Sequence, residues 1–250
     1  MGYIINFDIQ YAALIVAGGS GQRMGASTPK QFMDLGGKPI LVRTVEKFIT
    51  WNSGLLVTLV LPEAHFQTWE KLSEPHFSEE KKQRITLCAG GKTRTESVLN
   101  GLTHIRAKFD HPEQVLVAIH DGVRPFISSG IIRQAFEDAE EHGASVVCVP
   151  VKASLRKKLD DNQSIAVDRA PFFEVQTPQT FFLKDIFEAY QNLPDGVTFT
   201  DDASLYEWSG GKVKITEGSY NNIKITTPED MFVGQKILST SDSPESESGS

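Results

Sequence analysis

The chain has 250 residues, 40% hydrophobic and 23% charged, with a formal net charge of −7 at pH 7. This is the composition of an ordinary globular protein with one α/β domain or two small ones, and the acidic balance argues against nucleic acid or an acidic membrane surface as its main partner. The N-terminal stretch lacks the basic and apolar regions of a signal peptide, and no run reaches the roughly 20 apolar residues of a membrane span, so a cytoplasmic protein is expected.

The first predicted strand is Tyr11–Val16, and it runs into a glycine cluster at Gly18–Gly25. A helix follows over Ile40–Ile49, where Leu41, Val45, Phe48 and Ile49 share one face. Leu55–Leu61 reads as a buried strand stopped by Pro62. Ile85–Cys88 is a shorter strand, followed by Gly90-Gly91 and a helix with Val98, Leu102 and Ile105 on one side. Val115–Ile119 is a strand, Ile132–Ala139 a helix and Val146–Val151 a strand. The two cysteines, Cys88 and Cys148, fall in these apolar runs without disulfide or metal-ligand spacing and read as core thiols in a reducing compartment.

Residues 152–176 break the alternation. Ser154–Leu159 and Ser164–Arg169 flank the polar turn D-D-N-Q as a hairpin, which is either a flap over the site or an arm gripping a second subunit. Helical period returns at Leu183–Tyr190, and a last strand, Val213–Ile215, precedes N-N-I-K-I-T-T-P-E-D. Residues 1–238 read as one domain, and 239–250 as a low-complexity, disordered tail. Strands apolar on both faces, alternating with helices, predict an α/β, doubly wound, mostly parallel sheet with ligands beyond the carboxyl ends of its strands.

The unusual residues gather at those ends. A-G-G-S-G-Q-R-M-G follows the first strand, and closely spaced glycines let backbone N–H groups approach an anion. The loop is no P-loop, because the G-K-S/T ending is absent. Nor is it the dinucleotide fingerprint: Met24 occupies the third glycine position and no acid ends the second strand, which disfavours a nicotinamide-dependent oxidoreductase. Arg23 within the loop and Lys30 in T-P-K-Q-F suit a polyphosphate that gains charge as a P–O bond breaks. In H-D-G-V-R-P, Asp121 offers a carboxylate for Mg²⁺, Gly122 leaves room for a ligand, and Arg124 offers a second anion contact. His120 is either a base or a satisfied core histidine.

These motifs resemble, in order and from about residue 12 to 238, the 2-C-methyl-D-erythritol 4-phosphate cytidylyltransferases. The resemblance rests on A-G-G-S-G-Q-R-M-G with P-K-Q-F, G-G-x-x-R-x-E-S, H-D-x-V-R-P, V-D-R, T-P-Q-x-F, T-D-D-A-S and N-I-K-I-T-x-P-E-D. It implies a nucleotide-diphospho-sugar transferase fold and transfer of CMP from CTP to a sugar-alcohol phosphate with Mg²⁺. It further implies that Ala17, Gly18, Gly19 and Gly21 cradle CTP, that Arg23 and Lys30 stabilise the transition state, and that Gly90, Gly91 and Ser97 hold cytosine and ribose, with Gly122 beside them. Asp121 matches the metal ligand. Arg124, Ser154, Arg169, Thr177 and Lys224 match the acceptor positions, and the hairpin matches a dimerisation arm that carries Arg169 toward a partner's site. Lys92, Ser154 and Gly122 depart from an acid, a threonine and an alanine common in the family. Ribitol 5-phosphate is the rival acceptor, since enzymes using it share several of these motifs. A nucleotide-binding regulator without activity is the rival class.

Overall fold

Four consecutive fully buried residues, Ala12–Ile15, make strand β1 (Gln10–Val16), and their alternation decides the layering. Ala13 and Ile15 pack into one core, Ala12 and Leu14 into a second on the opposite face, as the two-residue period of a strand requires. The computed structural model describes residues 9–18, 28–159, 163–194 and 196–241.

In chain order there follow α1 (Ile40–Trp51), β2 (Leu56–Leu61), α2 (Phe66–Ser73), α3 (Glu79–Gln83), β3 (Ile85–Ala89) and α4 (Arg94–Arg106). Next come β4 (Val115–Asp121), α5 (Ser129–His142), β5 (Ala144–Pro150), β6 (Leu155–Lys158) and β7 (Ser164–Val167). The chain closes with β8 (Phe173–Phe182), α6 (Leu183–Gln191), α7 (Asp202–Trp208), β9 (Lys214–Glu217) and α8 (Pro228–Ser241). The seven-stranded sheet has the order β3-β2-β1-β4-β8-β5-β9. All its pairings are parallel except those of β8, which runs antiparallel to β4 and β5.

Helices α1 and α5 cover one face through Phe48, Ile49 and Phe136, and α4 and α6 cover the other through Leu102, Ile186 and Phe187. Caps set the helix starts: the hydroxyls of Thr93 and Ser128 accept from the N–H groups of Glu96 and Ile131. Gly143, at φ +91°, ends α5 in a conformation that strains any residue with a Cβ.

The predicted doubly wound, mostly parallel sheet is present, with two changes at its margins. The hairpin β6–β7 lies within the expected 152–176 segment, but Phe173–Gln176 belong to β8 and pair with β5 in the main sheet. Their F-E-V-Q sequence half-exposes one strand end, so it resembles arm more than core. Helix α8 continues to Ser241, past the expected boundary at 239, and residues 242–250 lie outside the described residues. No helix among the described residues is long and apolar enough to cross a membrane.

Candidate active site

Three loops leave the carboxyl edge of the sheet, and the first residue after each of their strands is pinned to a neighbouring strand. The N–H of Ala17 donates to the Val60 carbonyl at 2.9 Å, that of Gly90 to Leu61 at 2.8 Å and that of Gly122 to Val16 at 2.9 Å. The motifs are therefore held side by side by the sheet's own ladder, and Val16 and Asp121 are register partners. Gln31 secures the next segment, its Nε2 donating to the Ala17 carbonyl at 3.0 Å from a fully buried position. That places Lys30, in a short 3₁₀ turn, at the cavity that Ala17 and Gly18 also line.

Two adjoining cavities open there. The first, about 250 Å³, is lined by Ala17, Gly18, Lys30, Gly91 and Ser97 among others. The second, about 330 Å³, is lined by Arg124, Thr177, Gln179, Thr200 and Asp201. Arg94, Asp121 and Lys224 line both. Ser97 shapes the first cavity, since its hydroxyl accepts from the Gly91 N–H at 3.0 Å and donates to the Thr93 carbonyl at 2.8 Å.

Asp121 is the electrostatic centre. Arg124 Nε and Lys224 Nζ both reach its Oδ2 at 3.1 Å. Burial works against the carboxylate, but Lys224, Arg124 and Arg94 outweigh it and hold its pKa at about 2. Its backbone N–H donates to Thr177 Oγ1 at 3.1 Å, and Thr177 Oγ1 lies 3.0 Å from Nδ1 of His120. His120 Nε2 lies 3.2 Å from the Arg124 carbonyl, a group that can only accept, so this nitrogen carries the proton. With its ring against Phe48 and burial pushing its pKa down to about 4, His120 is a neutral, fully bonded core residue rather than a base.

Lys224 owes its position to a lacing of the closing segment onto the fourth strand's loop. Arg124 Nη1 donates to the Asn222 carbonyl at 2.8 Å, and the Ile225 N–H donates to the Val123 carbonyl at 2.9 Å. Asn222, fully buried, donates through Nδ2 to Gln176 Oε1 at 3.1 Å and to the Thr177 carbonyl at 3.0 Å.

The expected site residues thus fall into four groups. Ala17, Gly18, Lys30, Gly91, Ser97, Asp121, Arg124, Thr177 and Lys224 come together at the two cavities. Gly19, Gly21 and Arg23 lie outside the described residues. Ser154 and Arg169 are exposed on the arm and line neither cavity, and an Nη1 donor of Arg169 bonds the Lys152 carbonyl. Gly90 and Gly122 stand behind the cavity wall. A Cβ at Gly122 would meet Ala17 Cβ at 2.7 Å and Leu41 Cδ1 at 2.8 Å, so its small size serves the packing of β1 and α1 rather than room for a ligand.

Sequence reasoning missed Arg94. It starts α4 inside G-G-K-T-R-T-E-S and makes a bidentate pair with Asp202 at 2.8 and 2.6 Å, across 108 positions of sequence. Nothing local marks that partner.

Among the described residues no group of three or more His, Cys, Asp or Glu side chains converges to cage a metal. The Asp121 carboxylate, facing a polyanion-sized cavity, suits Mg²⁺, which keeps its waters and completes its shell from substrate phosphates.

The family model described as IspD, 2-C-methyl-D-erythritol 4-phosphate cytidylyltransferase, matches residues 11–240. The chain belongs to that family. A relative of the same description from Bacteroides thetaiotaomicron is 42% identical over 232 residues, 92% of this chain and 100% of the relative. Another, from Porphyromonas gingivalis, is 43% identical over 230 residues, covering 91% and 97%. Among solved structures, the 4-diphosphocytidyl-2C-methyl-D-erythritol synthase of Anaerococcus prevotii superposes with a TM-score of 0.79 at 28% identity, covering 93% of this chain and 97% of its own. The 2-C-methyl-D-erythritol 4-phosphate cytidylyltransferase of Thermus thermophilus gives 0.70 at 29% identity, covering 93% and 100%. Membership makes the chain a nucleotidyltransferase, and the regulator and oxidoreductase readings fall away.

Proposed function

We propose that this chain transfers CMP from CTP to 2-C-methyl-D-erythritol 4-phosphate, releasing pyrophosphate and giving 4-diphosphocytidyl-2-C-methyl-D-erythritol for isoprenoid synthesis. The observation that carries the proposal is the pair of adjoining cavities that share Arg94, Asp121 and Lys224. One takes the nucleotide and the other the acceptor, so the two meet on a strip of charged groups.

In a single displacement, an oxygen of the acceptor's phosphate attacks the α-phosphorus of CTP. The bond from that phosphorus to the α–β bridging oxygen breaks, and pyrophosphate departs with the electron pair. A phosphate monoester is already nucleophilic near neutral pH, which agrees with a site whose histidine is neutral and fully bonded. The protein's work is positioning and charge neutralisation. Lys30 at the first cavity, with Arg23 in the glycine loop, takes the charge that grows at the α-phosphate. Gly91 and Ser97 hold the base and ribose, and Arg124, Thr177 and Lys224 hold the acceptor. Asp121 would hold Mg²⁺, which neutralises phosphate charge when bound.

The arm and the adjoining exposed end of β8 fit a homodimer contact. Ile165, Phe172, Phe173 and Val175 are between 41% and 49% exposed, an apolar set that a second copy would cover. Arg169, which lines neither cavity of its own chain, then serves the acceptor site of the other. The cytoplasmic setting belongs to the same proposal, and the free thiols of Cys88 and Cys148 agree with it.

The test is pyrophosphate release from CTP and Mg²⁺ with 2-C-methyl-D-erythritol 4-phosphate or ribitol 5-phosphate. A strong preference for the first is expected, and a preference for the second, or release with neither, overturns the proposal.

A further inference from the structure

Asp202 is fully buried, the first residue of α7, and no ligand in either cavity can reach it. It nevertheless receives two N–H groups from Arg94 and the hydroxyl proton of Tyr190. Burial works against the Arg94 charge, and Asp202 more than offsets it, so the guanidinium stays ionised. Tyr190 stays protonated, since burial and then Asp202 push its pKa up. A carboxylate so enclosed is a poor stabiliser, because its desolvation offsets much of its attraction to Arg94, and an apolar side chain of similar volume serves a core as well or better. A strut joining α4 to α7 and α6 does not need one.

The other end of the pair explains it. The Arg94 side chain is 40% exposed, lines both cavities and sits close enough to Asp121 to lower its pKa. Two of its five N–H donors are committed to Asp202, in the fork geometry that removes its torsional freedom. Asp202 lies behind it at 0% exposure, so what faces the cavities is the cation.

We propose that Arg94 is a further catalytic cation for the transfer, placed where nucleotide and acceptor phosphates meet, and that Asp202 is its positioning residue. This rests on the transferase reading above. A cation fixed in advance at that junction costs no reorganisation as charge shifts from the bridging bond to the leaving pyrophosphate. Lysine is a poor replacement, since it cannot make the bidentate pair and still present planar donors to a phosphate.

The experiment compares steady-state kinetics and thermal unfolding of Arg94→Gln, Arg94→Lys, Asp202→Asn and the double variant Arg94→Gln/Asp202→Asn. Wild-type turnover is measured first, so a chain inactive with CTP and 2-C-methyl-D-erythritol 4-phosphate fails the transferase reading and not this one. The double variant removes both charges of the pair, so it folds even where Arg94→Gln alone leaves the buried Asp202 unpaired. Arg94→Gln and the double variant are expected to lose about 10²–10³-fold in kcat, the size of losing one preorganised donor, with KM for CTP changed far less. Arg94→Lys and Asp202→Asn are expected to fall in between. Ser145→Ala, which breaks a buried 2.6 Å bond to the Ala135 carbonyl in α5, lowers the melting temperature without touching either cavity and should keep wild-type kcat. If the folded double variant keeps kcat within about threefold, or if kcat falls in Ser145→Ala in step with melting temperature, the pair is only a strut and the proposal is wrong.

Discussion

Gly101 sits in the middle of α4, where glycine ordinarily weakens a helix, and replacing it by alanine in an open helix gains about 1 kcal/mol. In this fold the sign reverses. A Cβ at Gly101 would lie 2.3 Å from Leu14 Cδ1 and 2.8 Å from Val60 Cγ2, and both side chains are fully buried under the helix. Neither can move aside without displacing its own neighbours, so α4 must lift from β1 and β2. Overpacking of this kind costs about 1–3 kcal/mol, which leaves a net loss of up to about 2 kcal/mol after the propensity gain. At this chain length that is a fall of up to about 8 °C in melting temperature. The first two turns of α4 carry Arg94 and Ser97, so the lift reaches the nucleotide cavity and KM for CTP should rise severalfold. Thermal unfolding and initial rates at varied CTP measure both effects. Adding Leu14→Ala should recover part of the Gly101→Ala loss, a coupling that independent sites would not show. A Gly101→Ala protein that melts higher than wild type, with unchanged KM, would refute this account of how α4 seats on the sheet.

Lys30→Ala is expected to lower kcat by about 10²-fold or more while calorimetry finds CTP binding largely kept, and a near-normal kcat would remove Lys30 from the chemistry. Chelation with EDTA should stop pyrophosphate release and added Mg²⁺ should restore it; turnover that persists would end the role proposed for Asp121. On the arm, Ile165→Asp places a charge in the exposed apolar set and should shift the sedimentation coefficient toward the monomer and abolish turnover if Arg169 works across the dimer. Burial pushes the Cys148 thiol from 9.0 up to about 11, so the fold favours its protonated form. The stability tied to it is therefore intact below pH 9 and fades as pH climbs through 11, a loss that Cys148→Ala should not show in urea titrations across that range.

Most of the architecture is legible in the sequence because the inner parallel strands β1, β2 and β4 are near-continuous apolar runs, and the glycine loop and the acidic motif directly follow β1 and β4. The strand-end rule then puts the motifs in one place. What escapes is antiparallel, non-local, or helical without a long, clear apolar face, as in α2, α3, α7 and α8. Strand β8 carries Pro178 and begins with half-exposed residues, so it lacks both the continuous apolar signal and clean alternation. The 3.1 Å contact of Lys224 with Asp121 depends on Asn222 being buried and bonded to residues 45 and 46 positions earlier. Arg94 meets Asp202 only because α6 packs against both α4 and α7. Gly122 misleads for a related reason: a small residue at a strand end reads as room for a ligand, but its neighbours are Ala17 and Leu41.

A chain of net charge −7 that handles two polyanions needs its cations concentrated, and the sheet edge does this. Lys30, Lys92, Arg94, Arg124 and Lys224 all line the adjoining cavities, against Asp121 and Asp201. Such a cluster would repel itself if it had no anion to organise around. Asp121 supplies one, and its depressed pKa shows that the surrounding positive charge outweighs the cost of burying it. Arg124 and Lys224 share a single oxygen of that carboxylate, an arrangement in which each is held near the place it will be needed without both carboxylate oxygens being consumed. When substrate phosphates enter, on the reading proposed above, they replace Asp121 as the shared partner of the two cations. Arg94 differs from both, because its carboxylate lies on the far side of it and is never exchanged. On that reading the site combines cations that follow the substrate with one that stays fixed, and a displacement that moves charge from one phosphate to the next uses both kinds.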